Sequence, residues 1–178
     1  MTFSVPSVRF PSQIAMLATE FLMRREFKIG YARLIDAKAD TVGGGTFTAL
    51  AWQTRVLNTE SYDTGNFVSL PGSNTFLLLP GIYVIEWFCP ALQVNSNQSR
   101  LFDVTANAAT GDYGSSERSG SGDGTQTTSY GSAKIVSDNT TYRIEHWCVT
   151  TANTTGFGFP ASAGVGEVYT QVNIVKLA

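Results

Sequence analysis

Few residues of this chain can do acid–base or nucleophilic chemistry, and the first candidate is His146, its single histidine. A histidine works as a general base only beside a nucleophile and a group that orients its ring. No Gly-x-Ser-x-Gly elbow occurs and neither cysteine has a nucleophile's context, so His146, inside the run Tyr142 to Cys148, reads as a packed, hydrogen-bonded residue. Cys89, Cys148 and His146 also fail as zinc ligands, lacking paired short spacing and a fourth donor. The two cysteines read as small buried hydrophobes rather than as a disulfide or metal pair. Gly43-Gly44-Gly45-Thr46 and Gly120-Ser121-Gly122-Asp123-Gly124 share only their glycines with phosphate or calcium loops. No Gly-Lys-Ser/Thr or helix start follows either cluster, and Asp123 has no companion oxygen ligands, so both are expected to be flexible hairpin tips. Glu86, Glu145 and Asp103 could meet across strands as glycosidase carboxylates, but no spacing demands it. Arg143 is equally placed to pair with Glu86 across neighbouring strands. These residues point away from an enzyme and call for no metal or cofactor.

The elements that must position them are strands. From about residue 31 the apolar period is two, with turn residues at short intervals. The runs read as strands are 31–37, 46–57, 67–70, 75–79, 82–94, 101–106, 126–136, 141–151 and 166–177. Between them stand turn-forming groups, among them Asp63-Thr64-Gly65, Pro80-Gly81, Thr110-Gly111-Asp112 and Ser137-Asp138-Asn139. An internal echo places the core: Tyr83-Val84-Ile85-Glu86-Trp87-Phe88-Cys89 parallels Tyr142-Arg143-Ile144-Glu145-His146-Trp147-Cys148. Alternation then turns Tyr83, Ile85, Trp87 and Cys89 inward, and likewise Tyr142, Ile144, His146 and Cys148. No helical stretch interrupts the strands, which excludes a parallel βαβ sheet and favours a sandwich or jelly roll.

The first thirty residues follow another pattern. Val5, Pro6, Val8, Phe10 and Pro11 form an extended apolar segment, and Ser12 can cap a short amphipathic helix carrying Ile14, Leu17 and Phe21 on one side. A terminal arm of this kind frays unless it is docked. Residues 1–33 hold Arg9, Arg24, Arg25, Lys28 and Arg33 against Glu20 and Glu26, a net charge of +3, which leaves −5 for the rest of a chain whose total is −2. We therefore divide the chain into a docking arm, 1–30, with Val5, Val8, Phe10, Ile14, Leu17, Phe21, Arg24 and Arg25 as its contact residues, and a sandwich domain, 31–178.

Composition narrows the function. Charged residues make up 15% of the 178, far below the quarter usual in soluble domains, while 21 Thr, 16 Ser and 17 Gly take their place. That excludes a coiled coil and a disordered charged tail. The small negative charge offers nucleic acid no basic stripe. The apolar stretch 14–23, broken by Thr19 and Glu20, is about half the ~20 residues of a membrane span, and no secretory leader is evident, so cytoplasmic synthesis without membrane insertion is expected. The segment 107–130 reads as a low-charge loop surface. Its Tyr113 and Tyr130 are the candidates for stacking on glycan rings.

The run Arg55-Val56-Leu57-Asn58-Thr59-Glu60-Ser61-Tyr62-Asp63-Thr64-Gly65-Asn66-Phe67, followed by Leu79-Pro80-Gly81-Ile82-Tyr83, resembles the C1q/TNF-like jelly roll. The stretches Gly44-Gly45-Thr46-Phe47, Trp52-Gln53-Thr54-Arg55 and Gly156-Phe157-Gly158, and the run from Glu167 to Leu177, resemble the version found in tailed-bacteriophage virion proteins. The resemblance covers about residues 31–178. It implies an all-β jelly-roll β-sandwich assembled as a homotrimer and used in virions as a tail-fibre module or as a head decoration protein. The expectation is a noncatalytic virion structural protein whose arm binds other virion proteins. Host-surface glycan is a further expected partner; a freestanding carbohydrate-binding module is the reading from a different class.

Overall fold

The computed structural model describes residues 29–72, 74–120, 122 and 124–178. The expected arm helix and its contact residues Val5, Val8, Phe10, Ile14, Leu17, Phe21, Arg24 and Arg25 lie outside the described residues, as do Ser121 and Asp123.

The described chain is all strand and loop: β1 (Gly30–Lys38), β2 (Gln53–Thr54), β3 (Thr59–Asp63), β4 (Val68–Gly72), β5 (Thr75–Leu78), β6 (Gly81–Leu92), β7 (Asn95–Asp103), β8 (Ala108–Ser119), β9 (Gln126–Ser137), β10 (Thr140–Cys148) and β11 (Glu167–Lys176). They form two antiparallel sheets, the first ordered β3-β1-β11-β6-β9 and the second β4-β5-β10-β7-β8, with β2 added on β10. Between the sheets the inward positions of alternating strands close one apolar core that includes Leu34, Ile85, Trp87, Leu101, Ile144 and Val172. Each large side chain removed from water in this way contributes about 1.5–3 kcal/mol. A smaller cluster of Phe47, Ala91, Val94, Cys148 and Phe157 seals the end of the sandwich away from Gly30. Both echo strands face inward as expected: Tyr83, Ile85, Trp87 and Cys89, and Tyr142, Ile144, His146 and Cys148, are all buried.

Several expectations need correction. Only Gln53–Thr54 of the run 46–57 is strand, because Leu50 at φ 61 breaks the extended backbone and Phe47 makes just a bridge to Ala152. Of the run 101–106 only residues 101–103 are strand, the end of β7, which begins earlier over the polar stretch from Asn95; 104–107 are a turn, closed by the Ala106 N–H donating to Asp103 Oδ1 at 2.8 Å. The segment 107–130 is not a loop surface. Most of it is β8 and the start of β9, and the expected turn Thr110-Gly111-Asp112 sits within β8. Gly43–Gly45 is not a free tip either. The Gly44 N–H donates to Gly158 O, the Gly45 N–H to Thr154 O, and a Cβ at Gly44 would stand 2.6 Å from the Phe157 backbone, so glycine is required by close approach. The glycines after β8 belong to a connection that crosses from the edge of the second sheet to the edge of the first.

Candidate functional site

The groups that could do chemistry are packed away, with His146 Nδ1 buried and without a hydrogen-bond partner among the described residues. His146 is fully buried, packed against Phe47 with the rings tilted and their centroids 4.8 Å apart, and its Nε2 is 2.9 Å from Asn97 Oδ1. Burial, and then the Arg55 charge, hold its pKa well below the usual value, so the ring is neutral. Burial pushes both thiols up to about 11, which keeps Cys89 and Cys148 protonated and unreactive, and both are free. Among the described residues no group of three or more His, Cys, Asp or Glu is placed to hold a metal. Glu86, Glu145 and Asp103 do not converge: Glu86 is in the first sheet, Glu145 in the second, and Asp103 closes its own turn. Arg143 does not pair with Glu86 either, since the two lie in different sheets; its partner is Glu145.

Arg55 was not identified as a structural centre in the sequence. Its guanidinium is completely buried, donating from Nε to Thr170 Oγ1 (2.8 Å), from Nη1 to Pro90 O (3.2 Å) and from Nη2 to Phe157 O (3.0 Å), over the Phe157 ring at 4.1 Å. A register shift between Ile35 and Ala37 makes this possible, because consecutive β11 residues Tyr169 and Thr170 are both buried there. Asp36, also buried and 2.9 Å from Lys38 Nζ, adds a negative charge nearby; burial raises its pKa despite these cations.

The outer faces of the two sheets differ in kind. On the second, Glu145 lies opposite Arg100 and Arg143 opposite Phe102. The Glu145 carboxylate takes Arg100 on Oε2 (2.6 Å) and Arg143 on Oε1 (2.6 Å). Arg100 in turn stacks on Trp52 at 3.9 Å, and Arg143 on Phe102 at 4.3 Å. This face satisfies itself and leaves Glu145 only 3% exposed.

On the first sheet, strand register builds rows running across four strands. Tyr31, Val175, Val84 and Lys134 make one row; Arg33, Asn173, Glu86 and Ser132 the next; Ile35, Gln171, Phe88 and Tyr130 a third. Across the rows Arg33 Nη2 donates to Gln171 Oε1 (2.6 Å) and the Tyr130 hydroxyl to Glu86 Oε1 (3.0 Å), while Phe88 and Tyr130 pack with tilted rings 5.1 Å apart. Apolar side chains flank the polar middle row: Tyr31, Tyr62, Tyr130 and Val168 are each more than 40% exposed and Val136 is 77% exposed, with half-buried Ile82, Val84 and Val175 among them. Exposed apolar side chains clustered on one sheet face in this way mark an interaction surface. Its sequence signal is the run Tyr83 to Cys89, whose outward parity is apolar at Val84 and Phe88 and interrupted only by Glu86.

Of the glycan candidates, Tyr113 is half-exposed on β8 and Tyr130 partly exposed on β9. They stand on edge strands of different sheets, tied by the Tyr130 N–H donating to Ser115 Oγ.

No family model and no curated protein matches the sequence. Solved structures do match in shape. Murine APRIL at pH 5.0 is 10% identical, with 84% of this chain and 100% of that chain covered at a TM-score of 0.52. The Eiger TNF of S. frugiperda is 12% identical, covering 83% and 92% at 0.52. The globular domain of zebrafish complement 1qA protein is 13% identical, covering 83% and 97% at 0.49. At such identities the likeness concerns the fold alone. The strand order, read with the APRIL and Eiger structures, makes this chain a C1q/TNF-like jelly-roll β-sandwich.

Proposed function

We propose that this protein is a noncatalytic structural module of a tailed-bacteriophage virion, which self-associates as a homotrimer through the outer face of its first sheet and is anchored by the arm, 1–30. The observation that carries the self-association is the contrast between the two outer faces: one closed by the Arg100–Glu145–Arg143 clamp, the other carrying exposed Tyr31, Tyr62, Tyr130, Val136 and Val168 around a self-paired polar row. In a threefold ring the contact is heterologous, one side of the face in each copy meeting the other side in the next, and closure of the rotation covers the face in every copy. The virion assignment is supported by the sequence resemblance over residues 31–178. A tail-fibre position involved in host attachment is favoured over head decoration, for a threefold module suits both but a distal surface suits the first. The arm leaves the sandwich at Gly30, about 30 Å along β1 from the loops at the other end, so docking through the arm would point those loops away from the particle.

Native mass spectrometry of the full chain tests the assembly, with a mass of three 19.2 kDa chains expected. Val84→Lys, which places a charge among the apolar side chains of that face without entering the core, is expected to shift that mass to one chain at micromolar concentration with little change in the circular dichroism spectrum. A monomeric wild type, or a Val84→Lys variant that still trimerises, overturns the assignment of the interface. Deleting residues 1–28 is expected to abolish incorporation into particles while leaving the trimer intact; full incorporation of the truncated chain refutes anchoring.

A further inference from the structure

The loop end of the sandwich, opposite Gly30, holds a cleft of which one half borders the face assigned above to self-association and the other half lies beyond it. Two adjoining cavities of about 470 and 430 Å3 meet there and share Gln126, Phe159 and Ala161. Their size is that of a small-ligand site. The half beyond the interface face is walled by Leu92, Gln93, Phe159 and Pro160, and the other, with Phe88, Val168 and Gln171, runs onto the outer face of the first sheet, so the ligand contacts are sought in the first half. Phe159 is 62% exposed, an aromatic ring left in water on a backbone that is pinned in place, since its N–H donates to Gln126 Oε1 at 2.7 Å.

The polar inventory selects the ligand. The bond to Phe159 uses the oxygen of Gln126 and leaves its amide NH2 without a partner among the described residues, and the half-buried side chain of Gln93 has none either. Glu167, the one charged residue among the described lining residues, is already engaged: its carboxylate accepts from the N–H groups of Thr41, Ala161 and Ser162. Those bonds hold its carboxyl below the ordinary range, so it stays ionised and satisfied. A charged ligand would therefore meet no counter-ion, and a wholly apolar one would bury two amides unpaired. A pyranose satisfies both demands, with an apolar C–H face for the aromatic ring and hydroxyls that both donate and accept for the amides.

We infer that this cleft binds a neutral saccharide, one sugar face on the Phe159 ring and its hydroxyls on the amides of Gln93 and Gln126. This names a ligand class for the attachment role proposed above and in that sense rests on it, but the binding is read on purified protein and the anchoring on particles, so either can fail alone. The test is a glycan array of neutral and acidic oligosaccharides probed with the full-length assembled protein, followed by ligand-observed NMR titration of the strongest neutral hit. Phe159→Ala is expected to weaken binding at least tenfold with no change in native mass, Gln93→Leu to weaken it as well, and Tyr113→Ala to leave it unchanged. Binding to no neutral glycan, binding to acidic glycans alone, full affinity in Phe159→Ala, or loss in Tyr113→Ala instead would each overturn the inference.

Discussion

Replacing Arg55 should loosen the sandwich more than any surface change, and the structure allows the cost to be worked. The side chain is fully buried and supplies three hydrogen bonds, two of them to the carbonyls of Pro90 and Phe157, besides lying over the Phe157 ring. Arg55→Ala orphans those two carbonyls at about 1–3 kcal/mol each and forfeits a desolvated cation–π contact of about 1–2 kcal/mol. Against this stands relief of the desolvation of a buried charge, and removing one member of such a buried polar set costs about 3–5 kcal/mol net. Taking ~4 kcal/mol, and about 2–4 °C per kcal/mol for a domain of this length, the melting temperature should fall by roughly 8–16 °C. Arg55→Met separates volume from hydrogen bonding: it refills the space but leaves both carbonyls unpaired, and should still lose about 2 kcal/mol or more. Calorimetry at neutral pH measures both, and hydrogen exchange should show lost protection in residues 149–166, the connection that contains Phe157. An Arg55→Met variant melting within about 2 °C of wild type would refute the reasoning, because shape alone would then account for the site.

Two further outcomes follow from buried groups. His146 is neutral in the fold with its pKa held below 6.5, so below that pH the unfolded chain takes up a proton that the folded chain refuses. Stability should be complete above about pH 6.5 and fall on acidification by up to ~1.4 kcal/mol per pH unit, a slope that His146→Gln should remove between pH 6.5 and 5; parallel denaturation curves for variant and wild type would exclude this. Gly131 leaves no space for a side chain, since a Cβ there would enter the Trp87 indole, whose Nε1–H is fixed on Ser99 Oγ at 2.8 Å. Gly131→Ala should therefore cost about 1–3 kcal/mol by overpacking, read by tryptophan fluorescence during urea unfolding, with the outward neighbour Ser132→Ala near zero.

What the sequence determined by itself is whatever depends on neighbours along the chain. Side chains alternate across a strand, so the inward faces of Tyr83 to Cys89 and Tyr142 to Cys148 were legible, as were the sandwich class and the burial of His146 and both cysteines. The poverty of groups able to act as base or nucleophile was legible too, because it is a matter of composition. The rest was decided by residues far apart. β8 is rich in Ser, Thr and Gly and reads as loop; it is a strand because β7 offers it a ladder. Nothing local marks Arg55 as buried; the chain around Pro90, Phe157 and Thr170 converges on it, a meeting that depends on a register shift in β11 that no local pattern reports. The outer face of the first sheet and the Phe159 cleft share that origin. Each is assembled from strands or loops whose alignment is set by cross-strand hydrogen bonding, and a surface made from several strands exists only once their register does.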